Sequence, residues 1–214
     1  MRCLGVLLML VGCHGAGSVT PDSSTEPDGP PRSQGVTVTW RARPSLPGML
    51  TDKITVTDAV FQLEHLQLVS DASPDNTTHT GIQLEWDSGG APVDEEFPEA
   101  PVAHYQQILL DVRSDRPPFS YAYQIEGTWE DDDDSGSFRI ADPMTLEVPV
   151  ACDVLLAAKG AVTVPVRLDL RNTLNGINFK SLPMDASGVR VLSGGPMLLG
   201  VRDQLMHHAF AQDD

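Results

Sequence analysis

The sequence predicts a mainly β domain, an antiparallel β-sandwich closed by one short C-terminal helix. Three observations carry this. Segment after segment alternates apolar and polar residues with period two. Short polar turns separate them: Ser73-Pro74-Asp75-Asn76, Asp87-Ser88-Gly89-Gly90, Asp134-Ser135-Gly136 and Lys159-Gly160. Helical spacing occurs once, near the C-terminus. Strands in succession, joined by short turns, pack as two antiparallel sheets over a shared core.

Val36 to Trp40 alternates β-branched residues and reads as the first strand. Ile54 to Val69 is the longest extended stretch, and its apolar parity changes along the way. Ile54, Val56 and Val60 share one parity, Phe61 and Leu63 take the other, and Leu66 and Leu68 return to the first. A regular strand cannot do this, so a bulge, kink or strand break is expected between Ala59 and His65. Ile82 to Trp86, Tyr105 to Val112, Tyr121 to Glu126 and Phe138 to Ile140 alternate cleanly. Thr145 to Val154 and Val162 to Leu170 are two further strands. Pro149 and Pro165 lack the amide a ladder needs, which points to edges or bulges. Leu198, Leu199, Arg202, Leu205, Met206 and Ala209 recur at three- and four-residue spacing. They predict a helix capping an open end of the sandwich.

The 214-residue chain has 14 basic and 30 acidic residues, a net charge of −16. That balance repels nucleic acid and anionic lipid, so no nucleic-acid partner is expected. The apolar run Leu4 to Leu10 is too short for a spanning helix, which needs about 20 residues. It follows Arg2 and ends in small residues, the order of a secretory signal. Its end, Leu10-Val11-Gly12-Cys13, resembles the lipobox of bacterial lipoproteins. The resemblance implies cleavage before Cys13, lipidation of its thiol, and membrane attachment through that lipid. Residues 1–12 are then the signal peptide and residues 13–35, rich in Pro, Ser and Asp, a disordered tether. Residues 36–214 form the sandwich domain. In such lipoproteins Asp directly after the lipidated Cys retains the protein in the inner membrane. Here that position is His14, which implies the outer membrane, on its periplasmic or cell-surface face. The alternative is an ordinary signal peptide cut after Gly17, giving a secreted or periplasmic soluble protein. With Cys3 removed and Cys13 lipidated, Cys152 stands alone, and it reads as a small packing residue.

The stretch Thr55 to Leu68, the run Val162 to Leu170, Asn175-Gly176-Ile177-Asn178-Phe179 and a closing helix ending in Phe210 are together similar to uncharacterised β-sandwich envelope lipoproteins. That likeness implies architecture and location, not chemistry.

No catalytic constellation is expected. Asp87-Ser88-Gly89-Gly90 resembles a trypsin-like nucleophile loop, but Trp86 stands where that loop has Gly, and a hairpin tip explains it better. Asp131, Asp132, Asp133 and Asp134 could together offer oxygens to Ca²⁺, although the usual loop spacing is missing. His207 and His208, beside Met206, are candidate ligands for Cu or Zn, with His65 or His104 completing the set. Adjacent helical residues diverge by about 100°, so the pair is a poor chelate alone. The segment Asp87 to His104 reads as a long, Pro-stiffened acidic loop in which Phe97 is the one large apolar side chain. Phe97 either tucks into the domain or anchors a partner. Any protein partner, an envelope protein for instance, is expected to present a basic surface. The function expected is therefore a non-enzymatic binding or structural module, the alternative a periplasmic metal-binding protein. No cofactor is required by the first.

Overall fold

The computed structural model describes residues 34–71, 77–87, 93–113 and 120–213. Cys13, its neighbours Leu10 to Gly12 and most of the expected tether lie outside the described residues. Gly35, expected as the tether's last residue, is instead the first residue of strand β1 (Gly35–Ala42). Its φ is +103°, and a Cβ there would sit 2.1 Å from the Phe97 carbonyl oxygen. Only glycine fits.

The remaining elements follow in chain order. They are β2 (Gly48–Thr51), β3 (Ile54–Ser70), β4 (Thr78–Trp86), β5 (Val93–Phe97), β6 (His104–Val112), β7 (Tyr123–Asp131) and β8 (Asp134–Asp142). Then come β9 (Leu146–Leu155), β10 (Ala161–Leu168), α1 (Arg171–Leu174), β11 (Arg190–Leu192), α2 (Gly195–Gln204) and β12 (Phe210–Gln212). Two sheets pack together as a β-sandwich. The smaller has the order β12-β10-β1-β5, and the larger runs β11-β8-β7-β3-β6-β9 with β2 and β4 also on β3.

β3 is the spine of the larger sheet, and it stays unbroken through the region where a break was one expectation. Two bulges account for its changing parity. Against β7, Val56 opposes Gly127 and Asp58 opposes Glu126, so Thr57 is extra. Against β6, Leu63 opposes Val112 and His65 opposes Asp111, so Glu64 is extra. Each extra residue resets which parity faces the core. Ile54 and Val56 point inward, then Ala59, Phe61 and Leu63, then Leu66 and Leu68, all at most 7% exposed. At Gln62 the strand changes partner along one edge. Its N–H is donated to the Ala122 carbonyl and its own carbonyl accepts the Arg113 N–H. The first half of β3 therefore pairs with β7 and the second half with β6, while β2 and β4 take the opposite edge.

Most pairs are antiparallel, as expected, but β1–β10 and β8–β11 are parallel. Parallel neighbours need a long connection, and here each pair is separated by many residues of intervening chain. Pro149 lies on β9, at the end of the larger sheet's order. Pro165 sits on β10, where its carbonyl accepts the Asp213 N–H beside the short β12. An aromatic line joins the sheets. Phe210 meets Trp40 of the smaller sheet at 6.2 Å and Phe61 of the larger at 5.3 Å, both edge to face. Phe61 continues to Trp86 and Tyr123.

The C-terminal helix forms where its spacing predicts, with Leu198, Val201 and Leu205 buried. It begins at Gly195 with Pro in its first turn, where a missing N–H costs nothing. Its last turn widens to a π-turn over Leu205–Ala209, which delivers Phe210 into the core. The guanidinium of Arg202 grips the carboxylate of Asp142, at the end of β8, with both Nε and Nη2. Asp142 is fully buried.

The acidic segment before His104 is not one long loop, because β5 occupies it and pairs with β1. Strand alternation then turns Phe97 inward, 1% exposed, with its ring stacked on His79 at 4.1 Å. Phe97 is a core residue, and the expectation of a partner anchor there is corrected. Asp94 and Glu96 face outward, while Glu95 bonds the His79 ring.

Candidate functional site

Asp131 to Asp134 form the β7–β8 hairpin, whose tip residue Asp132 has a φ of +33°. Lys53 reaches this hairpin from the β2–β3 turn, 3.0 Å from Asp131 and 3.8 Å from Asp132. Asp134 accepts the Ser135 N–H. The four carboxylates thus spread around the tip and meet a lysine. No three of them converge as ion ligands.

His207 and His208 lie exposed in the π-turn, their rings 6.3 Å apart, with Asp203 3.8 Å from His207. Neither joins a ligand group with His65 or His104. His104 pairs instead with Asp153 at 2.5 Å.

His65 belongs to a constellation that the sequence did not reveal. The bulge at Glu64 sets Glu64, His65 and Asp111 beside one another, with ligating atoms within 4.8 Å. His65 Nδ1 lies 3.4 Å from Asp111 and 4.0 Å from Glu64. Among the described residues it is the one group of three with this geometry. Arg113 donates to Glu64 at 2.5 Å, so a cation already neutralises one of the carboxylates.

Cys152 sits at a β9 bulge, where Cys152 and Asp153 oppose Gln106. Its Sγ is 3.6 Å from the Tyr105 carbonyl. Burial, then the Asp153 charge, push the thiol up to about 11. It is a protonated packing residue at neutral pH, half-buried rather than fully so.

A recess of about 800 Å³ opens where β1 ends. Its wall is built by the 43–47 loop, β2, Trp86 of β4 and Arg171 of α1. Trp40 and Trp86 are 0% and 4% exposed, and neither indole N–H has an acceptor among the described residues. The indole N–H of Trp129, outside this recess, is buried without an acceptor among the described residues as well. Leu46 and Leu50 give the recess an apolar part. Arg41, Arg43 and Arg171 bring charge to it. Arg43 pairs with Asp213 at 2.6 Å. Arg171 pairs with Asp169, and that contact holds the Asp169 carboxyl below its ordinary range. Arg41 points outward from β1, exposed, with no ion-pair partner among the described residues. Three guanidiniums meeting two paired carboxylates leave this recess cationic on a chain of net charge −16. Composition could not announce this, because Trp40 and Trp86 are 46 positions apart and look like ordinary core residues.

Comparison with protein-family models, curated proteins and solved structures finds no match for this chain.

Proposed function

We propose that the chain is a bacterial outer-membrane lipoprotein, anchored through Cys13, whose domain is a non-enzymatic binding or structural module. The observation that carries this is the Leu10-Val11-Gly12-Cys13 motif followed by a Pro-, Ser- and Asp-rich segment. The arrangement is that of a folded head on a lipid tether. An envelope partner with a basic surface would meet the exposed acidic side chains of the Asp131–Asp134 hairpin, an association that salt weakens.

Intact-mass analysis of protein from its native membrane tests the anchor. The expected species starts at Cys13 and carries acyl chains. A chain starting at Ser18 without them overturns the anchor. A second reading, a periplasmic protein binding Ca, Cu or Zn, draws on the Glu64–His65–Asp111 group. Metal analysis after purification without chelator separates the two. The Arg113 contact on Glu64 leads us to expect less than one equivalent.

A further inference from the structure

We propose that Asn175 is a site of spontaneous covalent modification, converting with age to isoaspartate and aspartate through attack by the backbone nitrogen of Gly176. Neither the lipid anchor nor any ligand enters this. The reaction needs a free backbone nitrogen, room around it, and a segment able to turn. The Gly176 N–H has no acceptor among the described residues. Its neighbours are held: the Asn175 N–H is donated to the Arg171 carbonyl at 3.0 Å and the Ile177 N–H to that of Leu174 at 3.1 Å. Room comes from glycine itself. Lacking a Cβ, Gly176 leaves its nitrogen open to approach, and beyond its chain neighbours no atom lies within 4 Å of where a Cβ would stand. Both residues are exposed, and the Asn175 side-chain amide makes no hydrogen bond among the described residues. Asn175 caps α1 with a ψ of −23°, which must swing before the Gly176 nitrogen faces Cγ. α1 is only four residues long, and so short a helix opens at small cost. Of the four asparagines, Asn175 alone precedes a glycine.

The chemistry closes with water as the one co-reactant. The Gly176 nitrogen attacks Asn175 Cγ, the N–Cγ bond forms as the Cγ–Nδ2 bond breaks, and the amide leaves as ammonia with the Gly176 proton. Water then opens the cyclic imide. Opening at the side-chain carbonyl gives aspartate. Opening at the backbone carbonyl gives isoaspartate, in which the main chain runs through the side-chain carbon. Nothing is oxidised or reduced. Either product puts a new negative charge in the cleft that Asn175 shares with Lys53 and Lys180.

The test ages the folded, full-length chain at body temperature in mildly alkaline buffer and then digests it with trypsin. Cleavage after Arg171 and Lys180 releases residues 172–180, which hold Asn172, Asn175 and Asn178 together, so fragment masses assign any change to one of them. A gain of about 1 Da marks the exchange of amide for carboxyl, and two chromatographic peaks of that mass are its two products. Asn175 is expected to convert at least about tenfold faster than Asn172 or Asn178, because Thr173 and Phe179 carry a Cβ beside the attacking nitrogen. Gly176→Ala should slow the conversion by at least about tenfold for the same reason. Gly176 does not sit at positive φ and the space is open, so this variant keeps the fold. Conversion of Asn172 or Asn178 as fast as Asn175 overturns the proposal, and so does a Gly176→Ala chain that converts at the original rate. Conversion of Asn175 only in urea also overturns it, since the folded turn then shields the site. Aspartate without isoaspartate overturns the cyclic route, because direct hydrolysis of the amide gives aspartate alone.

Discussion

Removing Arg202 should cost more than removing Asp142, although the two share one ion pair. Asp142 is fully buried, and Arg202 keeps about a fifth of its side chain exposed (21%). Arg202→Met therefore leaves a carboxylate without its counter-ion and out of reach of water. Breaking a buried pair this way costs about 3–5 kcal/mol. Asp142→Asn leaves the orphan charge on Arg202, which can turn its exposed part to solvent, and the Asn oxygen can still accept the Met144 N–H that Asp142 accepts at 2.9 Å. Its cost should be about 2 kcal/mol. The double variant should recover part of the Arg202→Met loss, because no buried charge remains. Urea unfolding followed by tryptophan fluorescence measures all three. Hydrogen exchange on Leu198 to Leu205 shows whether the helix loosens first, as it should when its tie to β8 is cut. Equal costs, or Asp142→Asn the costlier by about 1 kcal/mol or more, refute the reasoning that burial asymmetry sets the penalty.

Phe97→Ala should destabilise the domain by about 3–5 kcal/mol in the same assay, since the ring is wholly buried against His79; a loss under about 1 kcal/mol contradicts its core placement. Asp58 has its carboxyl raised to about 6, first by burial and then by Glu85, Glu126 and Asp87. Its folded state holds the proton more tightly than the unfolded chain, so this group's contribution falls as pH rises from about 4 to about 6 and stays unfavourable above. Asp58→Asn should then gain about 1 kcal/mol at pH 7.5, discounted for partial exposure, and nothing at pH 4; a gain independent of pH would show another cause. Cys152→Ala should cost about 1 kcal/mol, and reductant should leave the wild-type midpoint unmoved; a reductant-sensitive midpoint points to a disulfide.

Alternation made most of the strands legible. Ile82 to Trp86 and Tyr105 to Val112 fall within β4 and β6 because one face of each is buried and the other more exposed, and Val36 to Trp40 falls within β1 although Thr39 on its second face is buried too. The parity changes in Ile54 to Val69 announced a bulge, but not two of them. A bulge's position depends on which partner strand lies opposite, and β3 has four. β5 was missed because Val93-Asp94-Glu95-Glu96-Phe97 has low intrinsic strand preference and is held by its ladder with β1. β2, β11 and β12 are only three or four residues long and carry too little pattern to stand out.

For the sites, the sequence by itself determined what is local: the charge balance, the Leu10-Val11-Gly12-Cys13 motif, the acidic hairpin and the adjacent histidines. It could not determine which side chains meet. Tertiary structure decided that Phe97 turns inward, that Lys53 reaches Asp131, and that Glu64 and His65 share a bulge with Asp111 opposite. It also gathered Trp40, Trp86 and three arginines, from β1, the loop after it, β4 and α1, around one recess. The physical reason is the same in each case. Hydrophobic period is a property of one segment and is written in its residues, whereas pairing across sheets depends on register, bulges and crossovers that only the packed chain fixes.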